Sequence, residues 1–209
     1  MLGVHMQSWA QWLAQALDVP FHGLASDGAR VRDVLREQVP RLRGGGYGVA
    51  CVFAGVNDAR SVDWDAAAFA RDLAAVLAAA GAAADVVVAC TLPEDLGRPA
   101  SAPKPAQANA AVRSLAGERG AVLVELRDLG GPRVMLPDAV HPTALGQVVI
   151  AERAAAALRA AGVAVPRSPL AAADPYRSAR ARARWRVRYG QLLARDLRRR
   201  AVERVRPPG

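Results

Sequence analysis

Val49-Ala-Cys-Val-Phe-Ala54, closed by Gly55, is an unbroken apolar run of strand length. A strand that is apolar at every position, instead of at alternate ones, has both faces covered. Two later runs repeat the pattern, Asp85-Val-Val-Val-Ala-Cys-Thr91 and Ala121-Val-Leu-Val-Glu-Leu126. Segments of helical spacing separate them. Strands buried on both faces and alternating with helices specify an α/β protein, with a parallel sheet between two helical layers.

Outward from these runs the pattern continues. Trp9, Trp12, Leu13, Ala16 and Leu17 predict an amphipathic helix over roughly 7–17. Val19 to Ala25 is a short apolar stretch expected as a strand, and 29–42 reads as a helix with Val31, Val34, Leu35, Val39 and Leu42 on one side. Gly44, Gly45 and Gly46 break it. Asp63 is expected to cap a helix running to about Ala80 that Gly81 stops. Pro93 begins a loop through Lys104, residues 105–119 are helical, and Pro142 is expected to open a helix through about Ala161. Pro166, Ser168, Pro169, Asp174 and Pro175 mark a linker, which divides a 1–166 domain from a 167–209 tail.

The chain has 209 residues and 52% hydrophobic content, enough for one domain with a full core. No apolar run approaches the length that crosses a bilayer. His5, Gln7, Ser8 and Gln11 interrupt any signal-peptide core, so the chain as it stands reads as cytoplasmic. Cys51 and Cys90, each inside an apolar run, read as buried reduced thiols. The net charge of +9 is local in origin: residues 167–209 hold 13 Arg against three acids, whereas 1–166 nets −1. A nucleic-acid role inferred from the overall charge would concern the tail alone.

Active groups of such sheets sit on loops at the carboxyl ends of the strands. Two groups of residues fall there. Gly55-Val56-Asn57-Asp58 follows the Cys51 strand; a Gly permits close backbone approach, and an Asn amide offers N–H donors to developing negative charge. Taken alone it is also an ordinary Asn-Asp turn. Asp138-Ala139-Val140-His141-Pro142 lies where the last strand's loop enters a helix. Asp and His three apart can share a turn, the carboxylate holding Nδ1–H and leaving Nε2 as a base, or the Asp can simply cap.

In this order and on these elements, Gly-x-Asn-Asp and Asp-x-x-His-Pro resemble the third and fifth sequence blocks of the SGNH (GDSL-like) hydrolases. Leu24-Ala-Ser-Asp-Gly28-Ala-Arg-Val resembles the second block less closely, with Gly23 and His22 near the place of that family's usual Asn. The resemblance covers roughly 1–162. It implies a flavodoxin-like α/β/α fold and a serine ester hydrolase acting on small-molecule esters without cofactor or metal. It also implies His141 as base, Asp138 as its orienting partner, Asn57 and Gly28 as oxyanion donors, and Gly55 and Asp58 in support.

The family's first block, Gly-Asp-Ser, does not occur. None of the seven serines, Ser8, Ser26, Ser61, Ser101, Ser114, Ser168 and Ser178, follows Gly-Asp or forms a Gly-x-Ser-x-Gly elbow. The first strand of the fold is therefore expected to be missing, and the nucleophile is expected upstream of Met1. The alternative is an inactive, degenerate hydrolase that binds without turnover. A nucleotide-binding phosphate loop ranks far below these readings, because Gly44-Gly-Gly-Tyr-Gly48 precedes its strand and lacks a Lys.

In the tail, Trp185, Tyr189, Leu192, Leu193, Leu197, Ala201 and Val205 fit one face of an Arg-rich helix. Three readings stand: a helix packed back on the body, an anionic membrane surface as partner, or nucleic acid, for which no recognition motif is present.

Overall fold

The computed structural model describes residues 4, 6–42, 44–97, 102–173 and 179–205. Helix α1 (Trp9–Leu17) is followed by α2 (Val31–Asp33), which passes without a break into a π-helical turn (Val34–Gln38) and a 3-10 turn (Val39–Arg41). Strand β1 (Tyr47–Val52), the short α3 (Val56–Ala59) and α4 (Ala66–Ala83) come next. They are followed by β2 (Ala84–Cys90), α5 (Lys104–Glu118) and β3 (Val122–Val124). Helices α6 (Ala144–Ala160), α7 (Pro169–Ala173) and α8 (Ala179–Val205) close the chain.

The strands form a parallel sheet in the order β1-β2-β3, with Cys51 opposite Val88 and Ala89 opposite Leu123. Side chains alternate between two cores, as the pleat requires. Val49, Cys51, Val86, Val88, Cys90 and Val124 face α1 and α6. Val52, Val87, Ala89 and Leu123 face α2, α4 and α5. This is the flavodoxin-like three-layer sandwich that the sequence predicts. Burial desolvates both thiols and pushes them up, Cys51 to about 12, so neither is a thiolate at neutral pH.

Several local expectations are corrected. Val19–Ala25 is not a strand: Val19 and Phe21 are exposed, and among the described residues none forms a ladder with them. Asp65, not Asp63, caps α4, accepting from Ala67 and Ala68 N–H at 2.9 and 3.0 Å. Asp63 instead pairs with Arg30 at 3.0 Å, and the Ser61 hydroxyl together with Arg30 lowers its carboxyl to about 2. Gly81 does not stop α4, which runs on to Ala83 because Ala80 and Ala83 remain buried. Thr143 caps α6, and Pro142 lies before it in a bridge to Met135. Helix α4 is also long and apolar enough to pass for a bilayer span, contrary to the sequence reading. Its Ala content raises the hydropathy, but Phe69, Leu73, Val76 and Leu77 pack into the second core.

Among the described residues β1 is the edge of the sheet, although its residues are apolar on both faces. None of them is fully buried, in contrast to Val88, Ala89 and Cys90 of β2. An edge with free N–H and C=O groups and apolar side chains is a template for another strand.

Candidate active site

Between β3 and α6 the chain turns through residues 129–143, where Ala139 takes the left-handed φ of 58°. Asp138 Oδ1 accepts the N–H groups of Val140 and His141 at 2.9 and 3.0 Å. Its Oδ2 lies 2.8 Å from His141 Nδ1. A carboxylate only accepts, so Nδ1 carries the proton and Nε2 keeps its lone pair. Burial raises the Asp138 carboxyl, but the two backbone N–H groups and the imidazole outweigh it and bring the group below its ordinary value. The His141 side chain is 70% exposed, so the ring is open to a reactant.

This loop is held by residues that the sequence reading passed over. Thr143 Oγ1 accepts from Gly146 N–H at 3.0 Å and donates to the Arg133 carbonyl at 2.7 Å, while Thr143 N–H donates to the Val134 carbonyl at 2.8 Å. The approach is so close that a Cβ on Gly146 would stand 1.9 Å from the Val134 oxygen. Gly97, at φ 67°, lies under the Asp138 carbonyl, where a Cβ would come within 2.5 Å. A Gly inside an Ala-rich helix and a Thr directly before it were the available signals. Asn109, fully buried, bonds both the N–H and the carbonyl of Leu92 at 2.6 and 2.9 Å and fixes the turn after β2.

The second half of the site follows β1. Gly55, at φ 116°, turns the chain into α3, and a Cβ there would meet the Phe69 ring at 2.9 Å. The Asn57 amide donates to the Ala29 carbonyl at 3.0 Å. Both Asp58 oxygens lie 3.1–3.2 Å from Val31 N–H. These bonds bring the 28–31 segment, including Gly28 at φ 75°, against the Asn57 turn. Burial raises the Asp58 carboxyl above its ordinary value despite the Val31 bond. Between the two segments lies a cavity of about 150 Å³, lined by Ser26, Ala29, Phe53, Gly55 and Asn57 among others.

Because the sheet is parallel, the turn after β1 and the loop after β3 leave the same edge, about 10 Å apart at the usual strand spacing. The start of α1 enters between them: the Trp9 ring packs edge-on against Phe53 at 6.3 Å, and the Trp9 backbone N–H donates to Gln147 Oε1 of α6 at 2.9 Å. Most described serines are engaged elsewhere. Ser8 caps α1, Ser61 bonds Asp63, Ser114 bonds Glu118 and Ser168 bonds Glu152. Ser26 lines the Asn57 cavity; Ser101 and Ser178 lie outside the described residues, as does part of the Pro93–Lys104 loop. Among the described residues no cluster of His, Cys, Asp or Glu could hold a metal ion.

A model of the GDSL-like lipase/acylhydrolase family matches residues 4–149. No curated protein matches the chain. Among solved structures, LAE5, an alpha/beta hydrolase enzyme from the metagenome of Lake Arreo, Spain, is 18% identical with a TM-score of 0.61, covering 74% of this chain and 85% of that one. Axe2, an acetylxylan esterase from Geobacillus stearothermophilus, is 17% identical with a TM-score of 0.57, covering 78% and 84%. A catalytic mutant of Axe2, with a serine replaced by alanine, is 16% identical with the same TM-score of 0.57. At these identities the likeness is one of fold.

Proposed function

The chain belongs to the GDSL-like lipase/acylhydrolase family, and from that premise we propose that it hydrolyses small-molecule esters through an acyl-enzyme. In this reading a serine on a segment preceding Met1 attacks the ester carbonyl. His141 Nε2 takes the serine proton and returns it to the departing alkoxide, which leaves as an alcohol. Water, activated by the same imidazole, then releases the acid. Asp138 orients the ring, and the second N–H of the Asn57 amide and the Gly28 backbone N–H quiet the oxyanion.

The observation that carries the reading is the 2.8 Å contact of Asp138 with Nδ1, which leaves Nε2 of an exposed ring as a base at the rim that also holds Asn57. The edge position of β1 among the described residues supports the upstream segment. A parallel strand added along it would end at the same rim, next to the Asn57 turn.

A second reading, a family member that binds esters without turning them over, is favoured by the serines already engaged elsewhere. Loss of the nucleophile costs a serine hydrolase up to about a millionfold in turnover. Fluorophosphonate labelling and p-nitrophenyl acetate hydrolysis, on this chain and on one extended upstream in frame, separate the two. Labelling of the extended chain alone, abolished by His141→Ala, supports the enzyme. Labelling of neither chain leaves the binding reading, and turnover that survives His141→Ala overturns the mechanism.

A further inference from the structure

Helix α8 has two faces with different occupants. On its inner face Trp185 is only 5% exposed, donates its Nε1–H to the Pro132 carbonyl at 3.1 Å and packs at a tilt of 55° against the Tyr189 ring. Leu192 follows one turn on, walling a cavity of about 380 Å³ with Leu136, Pro137 and Asp138 of the His141 loop. The apolar face expected from the sequence is thus divided. Only its Trp185, Tyr189 and Leu192 side meets the body, while Leu193 and Leu197 remain 40% and 56% exposed and Val187 65%.

At 3.6 residues per turn, Leu193, Leu197 and Val187 lie about 80°, 120° and 200° round the axis from Trp185. They form an outward stripe filled in by Ala183, Ala194 and Ala201. Arg180, Arg184, Arg188, Arg195 and Arg198 run along one flank, Arg182 borders the other, and Arg186 projects between Leu193 and Leu197; all are exposed. Asp196 and Glu203 are the only acids of the helix. Exposed leucines interleaved with and flanked by guanidinium groups fit one kind of surface, a layer offering hydrocarbon beneath anionic headgroups. Nucleic acid would use the arginines but leave the leucines against phosphate and water, where their burial gains nothing.

We infer that the outer face of α8 is a docking surface for an anionic lipid bilayer. The helix lies along the membrane with its inner face still on the His141 loop. The inference is independent of ester hydrolysis and survives if the chain proves inactive.

The test is co-sedimentation of the full chain with vesicles of phosphatidylcholine alone, or mixed with phosphatidylglycerol, and gel retardation with duplex DNA at the same ionic strength. Binding is expected only to the phosphatidylglycerol vesicles. It should weaken by about tenfold or more both in Leu193→Asp/Leu197→Asp and in Arg184→Gln/Arg188→Gln, with circular dichroism unchanged because these side chains face solvent. Should the Asp pair lower the helical signal, Leu193→Ser/Leu197→Ser replaces it. No vesicle binding, binding indifferent to loss of the leucines, or stronger retention by DNA than by vesicles would overturn the inference.

Discussion

Replacing Gly146 by alanine sets helix propensity against packing, and the structure says which wins. Propensity favours alanine in a helix by about 1 kcal/mol. The added Cβ, however, would stand 1.9 Å from the Val134 oxygen, 2.9 Å from its carbonyl carbon and 3.0 Å from the Pro142 Cβ. A carbon–oxygen contact needs about 3.3 Å, so the Val134 backbone must recede by roughly 1.4 Å. That movement breaks the bond from Thr143 N–H to Val134 and strains the one from Thr143 Oγ1 to Arg133. Each is worth about 0.5–1.5 kcal/mol, and overpacking adds about 1–3. Against the propensity gain, the net destabilisation is about 1–5 kcal/mol. The displaced segment leads directly to Asp138 and His141. Urea unfolding should therefore show a lower midpoint, and hydrogen exchange by mass spectrometry should show lost protection in peptides spanning 133–143 before those of β2. A Gly146→Ala variant as stable as its parent, with unchanged exchange in that loop, would refute the close approach on which this account of the site rests.

Two further outcomes follow from the carboxylates. Asp58→Ala should cost about 1–3 kcal/mol in urea unfolding, because the N–H of fully buried Val31 loses its acceptor. Asp58→Asn keeps an acceptor and removes a charge that burial disfavours, so it should be near neutral at pH 7. The Asp138 carboxyl is held below its ordinary value, so its contribution to stability is present above the unfolded-state value near 4 and is lost as pH falls through the lower folded-state value. The midpoint at pH 7 and at about pH 3 should therefore differ less in Asp138→Asn than in the parent; an identical acid loss in both would show that the carboxylate is not the group responsible.

Much of the fold was legible because its signals are local. Short, continuous apolar runs bounded by Gly and polar residues fit a strand covered on both faces, so β1, β2 and β3 could be read from Val49–Val52, Val86–Val88 and Val122–Val124. The Asp138–His141 pairing was legible for the same reason: three residues of chain bring the carboxylate to Nδ1 without help from elsewhere. Misreadings arose where two residues of similar chemistry competed. Asp63 and Asp65 are equally good caps by type, and Arg30, 33 residues away, takes the first, leaving the second for α4.

Sequence by itself determined the alternation of elements, the α/β class, the family blocks and the local dyad, since each depends on propensities and spacings within one turn or one strand. Tertiary structure alone decided that Asn57 and Asp58 grip Ala29 and Val31, that Gly146 admits a carbonyl, that Val19–Ala25 goes unpaired, and that α8 buries Trp185 while exposing Leu193 and Leu197. Those outcomes depend on which surfaces meet. A residue's type states what it can bury or bond, but only the packed chain supplies the partner.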